Sequence, residues 1–535
     1  MFNKVLLRSS KLNYNPSIFQ KISAVQRNVT NITPLTNNNN NNININNQVF
    51  RNTQLSTKRT LVSKSLSQPP KDAMTTAREI AAKKNKKIVF LRTAFFITAG
   101  LIGLLYWAWP KHNFPYPVAK FLRKGLWEER DDNRDNNGMP NYQAALKYYL
   151  LALDKADEVG MSKISDDYTG IELKVAEMYE KLNMVDNASR IYLELSYRYY
   201  DCLRNGTYDI DEMEKPHYIQ KDLRCVIKWL QFNMSSQPHP EVFQFAKGLL
   251  LSHLLLAEEE LMAKSPEFPL NNLTKDDLQK QIEHKYSGTI NFENMINEDN
   301  IFLDTDGYIA LDLEQKSSYA WFPFKDEFFT ARDLYSAMCL STKDIASAVN
   351  YKLTTLKWMV LAGMAPGQIM LSQANLGSLL YLRGEEFEGK LNYLQKHPES
   401  LNSTNTEGVA DDLNLTTTMR LYNKSKDECY KAAIECYEAI IKFTRNHSKL
   451  RFESNINGLN PSVSQAIVLS TYGLGVVNLH LDHLPQAEKL LNDSLSMSKQ
   501  IGFAELTTEA ENELKKLQAI KAEKKQLESK QKMDQ

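Results

Sequence analysis

Residues 166–196 read DDYTGIELKVAEMYEKLNMVDNASRIYLELS. Apolar residues recur at intervals of three and four, the period of an amphipathic helix, and strand-like alternation is rare. Ser165 or Asp166 stands where a helix N-cap belongs. Ala176 is followed by Tyr179, then by Ala188 twelve residues on, then by Tyr192. Small residues at that spacing let two helices folded back on each other approach closely, and the aromatic fills the gap beside them.

The same arrangement returns along the chain, which makes a repeat architecture the first expectation. It is the tetratricopeptide pattern, and five places fit it. Ala145, Tyr149 and Ala152 form one second helix. Ala176, Tyr179, Ala188 and Tyr192 form a unit. Gly377, after Leu376, is followed by Gly389 and Tyr393. Ala433 and Tyr437 match a further second helix. Gly475, after Leu474, is followed by Ala487 and Leu491. The predicted fold is all-α, a tetratricopeptide-like helical repeat array (an α-solenoid) over 141–510. Spacings exceed the usual repeat of about 34 residues, so helices or connections are long. Weaker helices are expected at Glu241–Met262, Phe328–Leu340 and Lys343–Leu361. Polar stretches near 265–326 and 397–427 read as surface insertions, and 511–535 as a charged tail after a capping helix from Ala504.

Upstream lies IVFLRTAFFITAGLIGLLYWAW, residues 88–109, with Arg92 as its one charge. That suffices for a single transmembrane helix, since a bilayer core needs about 20 apolar residues. Tyr106, Trp107 and Trp109 suit the interface, and Pro110, Pro115 and Pro117 stop the helix. A proline-containing linker is expected over 110–140. Residues 1–71 hold no Asp or Glu, whereas Lys4, Arg8, Lys11, Lys21, Arg27, Arg51, Lys58, Arg59 and Lys64 are basic. This predicts a disordered mitochondrial presequence which, with the low-complexity Asn-rich run Asn37–Asn47, fills 1–70, followed by a basic flank over 71–87. Seven Lys or Arg between Lys71 and Arg92, against five between Pro110 and Arg130, point the N-terminus to the negative side, and combined with a matrix-directed presequence this favours the N-terminus in the matrix and the large domain in the intermembrane space.

Composition excludes several classes. A net charge of +1 gives no footprint for nucleic acid. Five dispersed cysteines, Cys202, Cys225, Cys339, Cys429 and Cys436, suggest neither a zinc site nor a disulfide framework. No phosphate loop, dinucleotide fingerprint or nucleophile elbow occurs. His480, Asp482 and His483 read as an inter-helix turn rather than metal ligands. The expectation is a non-enzymatic protein with no cofactor, metal or small-molecule substrate. Candidate peptide-groove residues are first-helix positions that packing does not use: Lys174, Glu177 and Asn375.

FLRKGLWEE, then ALKYYLLALDKADEVGMSKISDDYTGIELKVAEMYEKL, resembles the opening of the fungal mitochondrial inner-membrane tetratricopeptide proteins that serve as adaptors of the i-AAA protease. The likeness is densest from Pro115 to Leu195 and returns at Leu474–Ser494, while the two insertions depart from the family's pattern. It implies a tethered adaptor whose partners are a membrane AAA protease and unfolded protein clients. Two alternatives share the layout: an assembly factor of the respiratory cytochrome bc1 complex, and an outer-membrane import receptor. Against the receptor, 87 residues precede the span, and Gly473 stands where a carboxylate clamp needs a side chain.

Overall fold

The structure, a computed structural model, describes residues 114–130, 140–208, 210–234, 239–264, 288–313, 319–397, 411–455 and 458–533. The presequence, basic flank and span expected over 1–109 lie outside the described residues. The chain divides into two compact units.

In the first unit, α1 (Tyr116–Glu128) packs on α2 (Tyr142–Glu158). Pro115 and Pro117 occupy the start of α1, where a missing N–H is harmless. Asn141 caps α2 by accepting from the Ala144 N–H at 3.1 Å. Val118, Ala119, Leu122 and Gly125 face Ala145, Tyr149 and Ala152, and a Cβ at Gly125 would run into the Tyr149 ring. The expected linker over 110–140 therefore contains a packed helix. Its prolines sit at the helix start, where they favour the helix instead of breaking it.

The second unit, from Ser162, is a succession of packed helices: α3 (Asp166–Lys181), α4 (Val185–Asn205), α5 (Lys215–Asn233), α6 (Pro240–Lys264), α7 (Lys325–Ser341), α8 (Ile345–Leu361), α9 (Pro366–Lys396), α10 (Asp411–Asn446), the single turn α11 (Phe452–Asn455), α12 (Pro461–His480), α13 (Leu484–Gln500) and α14 (Ala504–Met533). Three pairs, α3–α4, α7–α8 and α12–α13, share one geometry. Ala176, Ser336 and Gly475 each precede by twelve residues a buried alanine: Ala188, Ala348 and Ala487. Between them a three-residue turn centres on Asn183, Lys343 or Asp482, with φ of 59°, 62° and 65°. A left-handed residue there ends one helix and starts the next within a few bonds.

Where the sequence pattern is looser, the chain departs from it. α9 is one continuous helix of 31 residues, so Gly389 and Tyr393 lie on the same helix as Gly377. Gly389 has nothing within 4 Å, and Tyr393 is 57% exposed. The physical reason is the segment LRGEEFEGK, which consists mostly of strong helix formers and has no left-handed turn residue. The helix packed on Gly377 is α10, bearing Ala433 and Tyr437, so the two partial matches are halves of one pair. The expected insertion at 397–427 is helical from Asp411.

Residues 288–313 and 319–326 are not a surface insertion either. Phe292, Ile296, Trp321 and Phe324 are at most 2% exposed. The Phe292 ring lies 5.4 Å from that of Phe443, tilted by 38°, and Ile290 N–H donates to Gln373 at 3.0 Å. A two-stranded antiparallel ribbon, β1 (Ile301–Leu303) with β2 (Ile309–Leu311), rides on this segment, Ile301 opposite Leu311. Likewise α14 runs through the expected tail to Met533, and Leu517 is fully buried beside Ala487 and Leu491. Among the described residues, α12 alone is long and apolar enough to cross a membrane, but most of it is buried as a core helix.

Candidate functional site

Four helices converge on a cluster of tyrosines and carboxylates. Beyond Gly377, α9 carries Tyr381, Glu385 and Glu388 along one stripe, since residues three and four apart share a helix face. α10 contributes Tyr430, whose ring lies over Gly384, where a Cβ would clash with it. α12 presents Tyr472 and His480, and α14 presents Glu509 and Glu513.

The side chains are tied together. The Tyr381 hydroxyl donates to Glu385 at 2.8 Å, and the Tyr430 hydroxyl donates to Glu388 at 3.1 Å. His480 Nε2 is 2.9 Å from Glu388 and 3.0 Å from the Tyr430 hydroxyl. The Tyr381 and Tyr430 rings lie 5.7 Å and 5.0 Å from the imidazole. Glu513 is 8% exposed and pairs with Lys516 at 2.5 Å.

Protonation follows from this packing. The hydrogen bond to Glu388 raises His480 above its ordinary 6.5, burial opposing it. The same bond to His480 holds Glu388 low. Burial, unrelieved by a cation in direct contact, pushes Glu385 up. Burial and nearby glutamates drive Tyr381 and Tyr472 well above the usual phenol value. Four glutamates thus share the neighbourhood with His480, Lys426 and Lys516, and aromatic rings wall it. Carboxylates supply negative charge and ring faces a quadrupole here, and two of the carboxylates are already paired, Glu388 with His480 and Glu513 with Lys516. Among the described residues, no group of His, Cys, Asp and Glu is placed to hold a metal ion.

Of the residues singled out in the sequence, His480 alone falls in this cluster. Lys174 and Glu177 lie together on α3, paired at 2.8 Å, and Glu177 also takes Lys181 at 3.0 Å. Asn375 is half-buried on α9, in a different helical pair. The packing residues sit as follows. Ala145, Tyr149, Ala152, Ala176, Ala188, Tyr192, Ala433, Tyr437 and Ala487 are at most 5% exposed. Gly377 and Gly475 are buried, Tyr179 is partly buried, and Tyr393 is exposed. Tyr381, Glu385, Tyr430, Tyr472 and Glu513 escaped the sequence reading. Their one visible signal was the eight-residue spacing of Tyr472 and His480 on one helix.

Comparison with known proteins extends this picture. Residues 207–364 match the family described as the MGR3 middle domain. The mitochondrial inner membrane i-AAA protease supercomplex subunit MGR3 of Saccharomyces cerevisiae is 43% identical over 450 residues, covering 83% of this chain and 85% of that protein. The protein MRG3-like of the same yeast is 34% identical over 431 residues, covering 79% and 87%. A solved circular tandem repeat protein aligns over 75% of each chain at 12% identity with a TM-score of 0.17, too low to bear on the fold. Identity of 43% sustained over more than four-fifths of both sequences means common descent, and this chain belongs to the MGR3 family.

Proposed function

We propose that this chain is a non-enzymatic, membrane-tethered adaptor that brings unfolded or misfolded proteins to the mitochondrial i-AAA protease. The observation that carries the reading is the kinship with a subunit of that protease's supercomplex in the mitochondrial inner membrane. The helical pairs act as a tetratricopeptide-type array, with residues 1–70 as presequence, residues 88–109 as the single span, and the helical domain in the intermembrane space. Its recognition surface takes extended, basic client segments at the cluster of Tyr381, Glu385, Glu388, His480 and Glu513. Lys174, Glu177 and Asn375 are auxiliary groove contacts. Exposed ion pairs such as Lys174–Glu177 contribute only about 0–1 kcal/mol, so a client displaces them at little cost. A tether raises effective concentration to about the millimolar range, so weak contacts suffice for recruitment.

The test uses a strain carrying Glu385→Lys with Glu388→Lys, beside a deletion of the helical domain. Half-lives of protease substrates should lengthen in both, while the protease's own ATPase rate stays unchanged. Normal substrate turnover in the deletion strain would sink the adaptor reading. Depletion of mature cytochrome bc1 complex with normal turnover would instead establish the assembly-factor alternative.

A further inference from the structure

The outward face of α1 lies outside the buried seam of the helical pair. At 3.6 residues per turn, Tyr116, Lys120, Arg123, Lys124 and Trp127 fall within about 100° of arc. All five are exposed, Tyr116 at 73% and Trp127 at 61%. The opposite arc, Val118, Ala119, Leu122 and Gly125, is the one buried on α2. Aromatic residues thus stand at both ends of the helix, with three cations between them. Arg130 adds a fourth cation, its guanidinium 5.6 Å from the Trp127 ring. Lys124 lies 5.4 Å from the Tyr148 ring of α2, which keeps its stem along the same side. Glu129 points away from this face and accepts a hydrogen bond from the buried Tyr149 at 2.7 Å.

We propose that this face of α1 lies on the bilayer surface and binds anionic phospholipid headgroups, a second membrane contact beyond the span. The inference rests on the reading of 88–109 as that span. Six residues, 110–115, separate Trp109 from the start of α1. At roughly 3.3–3.6 Å per residue they reach no more than about 25 Å, so the helix begins within that reach of the headgroups. Cations there gain from the negative surface potential, and Tyr and Trp favour the interface. Three exposed cations on one face, flanked by exposed rings, complement a lipid surface better than a protein groove, where charge is depleted at the centre. The contact would orient the α1–α2 pair on the membrane at the foot of the tether.

The experiment uses the full chain with Lys120→Cys carrying a nitroxide. The five native cysteines are buried, so the label is selective. The chain is reconstituted into phosphatidylcholine vesicles, or into phosphatidylcholine–phosphatidylglycerol vesicles. Collision of the nitroxide with a water-soluble nickel chelate should fall several-fold in the anionic vesicles. High salt, or Arg123→Glu with Lys124→Glu, should restore it. Equal accessibility in both vesicles overturns the proposal, as does protection that survives charge reversal or appears only when the protease is added. Flotation separates the two readings. A chain that floats with both vesicle types but stays accessible loses the α1 contact and keeps the span. One that floats only with anionic vesicles loses the span and keeps the contact, and one that floats with neither loses both.

Discussion

Gly377 of α9 meets the flat of Tyr437 from α10: a Cβ added at 377 would stand 2.7 Å from the ring's Cε1. The same ring abuts Gly473 of α12. Tyr437 therefore sits between two glycines on two helices, 1% exposed, with its hydroxyl 3.0 Å from Ser378. Close approach of α9, α10 and α12 depends on those missing side chains.

Gly377→Leu should accordingly destabilise the protein by roughly 1–3 kcal/mol or more, because a fully packed ring cannot move aside. Gly389→Leu, on the same helix with nothing within 4 Å of its Cβ position, is the control and should be neutral or slightly stabilising, since leucine is the better helix former. Urea unfolding of the detergent-solubilised full chain, followed by helicity, separates them. Equal midpoints for both variants would contradict the pairing of α9 with α10.

The contrast between these two glycines also shows what the sequence could and could not disclose. Ala176, Asn183, Ala188 and Tyr192 fall within one short window, so the pair α3–α4 is legible from spacing alone. Gly377 and Tyr437 are separated by a long polar connection, and no local pattern tells which helix reaches Gly377. Phe292 and Trp321 were hidden because a polar average masks a few widely spaced apolar anchors that bury themselves against distant helices. The tyrosine–glutamate cluster draws on four helices, so it exists only once α9, α10, α12 and α14 are assembled. Adjacent-residue chemistry was visible: Ser165 accepts from the Tyr168 N–H at 3.3 Å as the N-cap of α3.

His480 gives the cluster a pH signature. Its neighbours are Glu388 and Glu385 from α9, Tyr430 and Lys426 from α10, and Tyr381. Because Glu388 raises the folded-state value above 6.5, the imidazolium's contribution is fully present below about pH 6.5 and is lost as pH rises through the raised value. Glu388 runs the other way: its value is lowered from 4.5, so its contribution holds at neutral pH and disappears as pH falls through the lowered value. Melting temperatures from slightly acid to slightly alkaline pH should decline for the native chain and less so for His480→Gln. Identical slopes in the two proteins would show that the His480–Glu388 bond does not form.

Arg332 poses the sharpest packing test within the stretch that matches the MGR3 middle domain. Its guanidinium is 4.2 Å from the Tyr351 ring and 4.3 Å from the Trp358 ring, and the residue is 2% exposed. Nε donates to Thr355 at 2.9 Å, Nη2 donates to Thr354 at 2.6 Å, and Nη1 bonds Glu258, which also accepts from the Tyr351 hydroxyl at 3.0 Å. Lysine keeps the charge but not the planar fork, so Arg332→Lys loses the stacking and at least one bond to the threonines, whose hydroxyls keep their bonds to the Tyr351 carbonyl. Arg332→Met leaves the Glu258 carboxylate without its cation in a site where burial already raises its pKa, and breaking a buried pair in this way costs about 3–5 kcal/mol. Arg332→Lys should therefore fall between the native chain and Arg332→Met in urea midpoint. Arg332→Met with Glu258→Leu should recover much of the loss, because an apolar replacement of both partners leaves no orphaned charge. A double variant as unstable as Arg332→Met would mean that the aromatic stacking, not the ion pair, holds α6, α7 and α8 together.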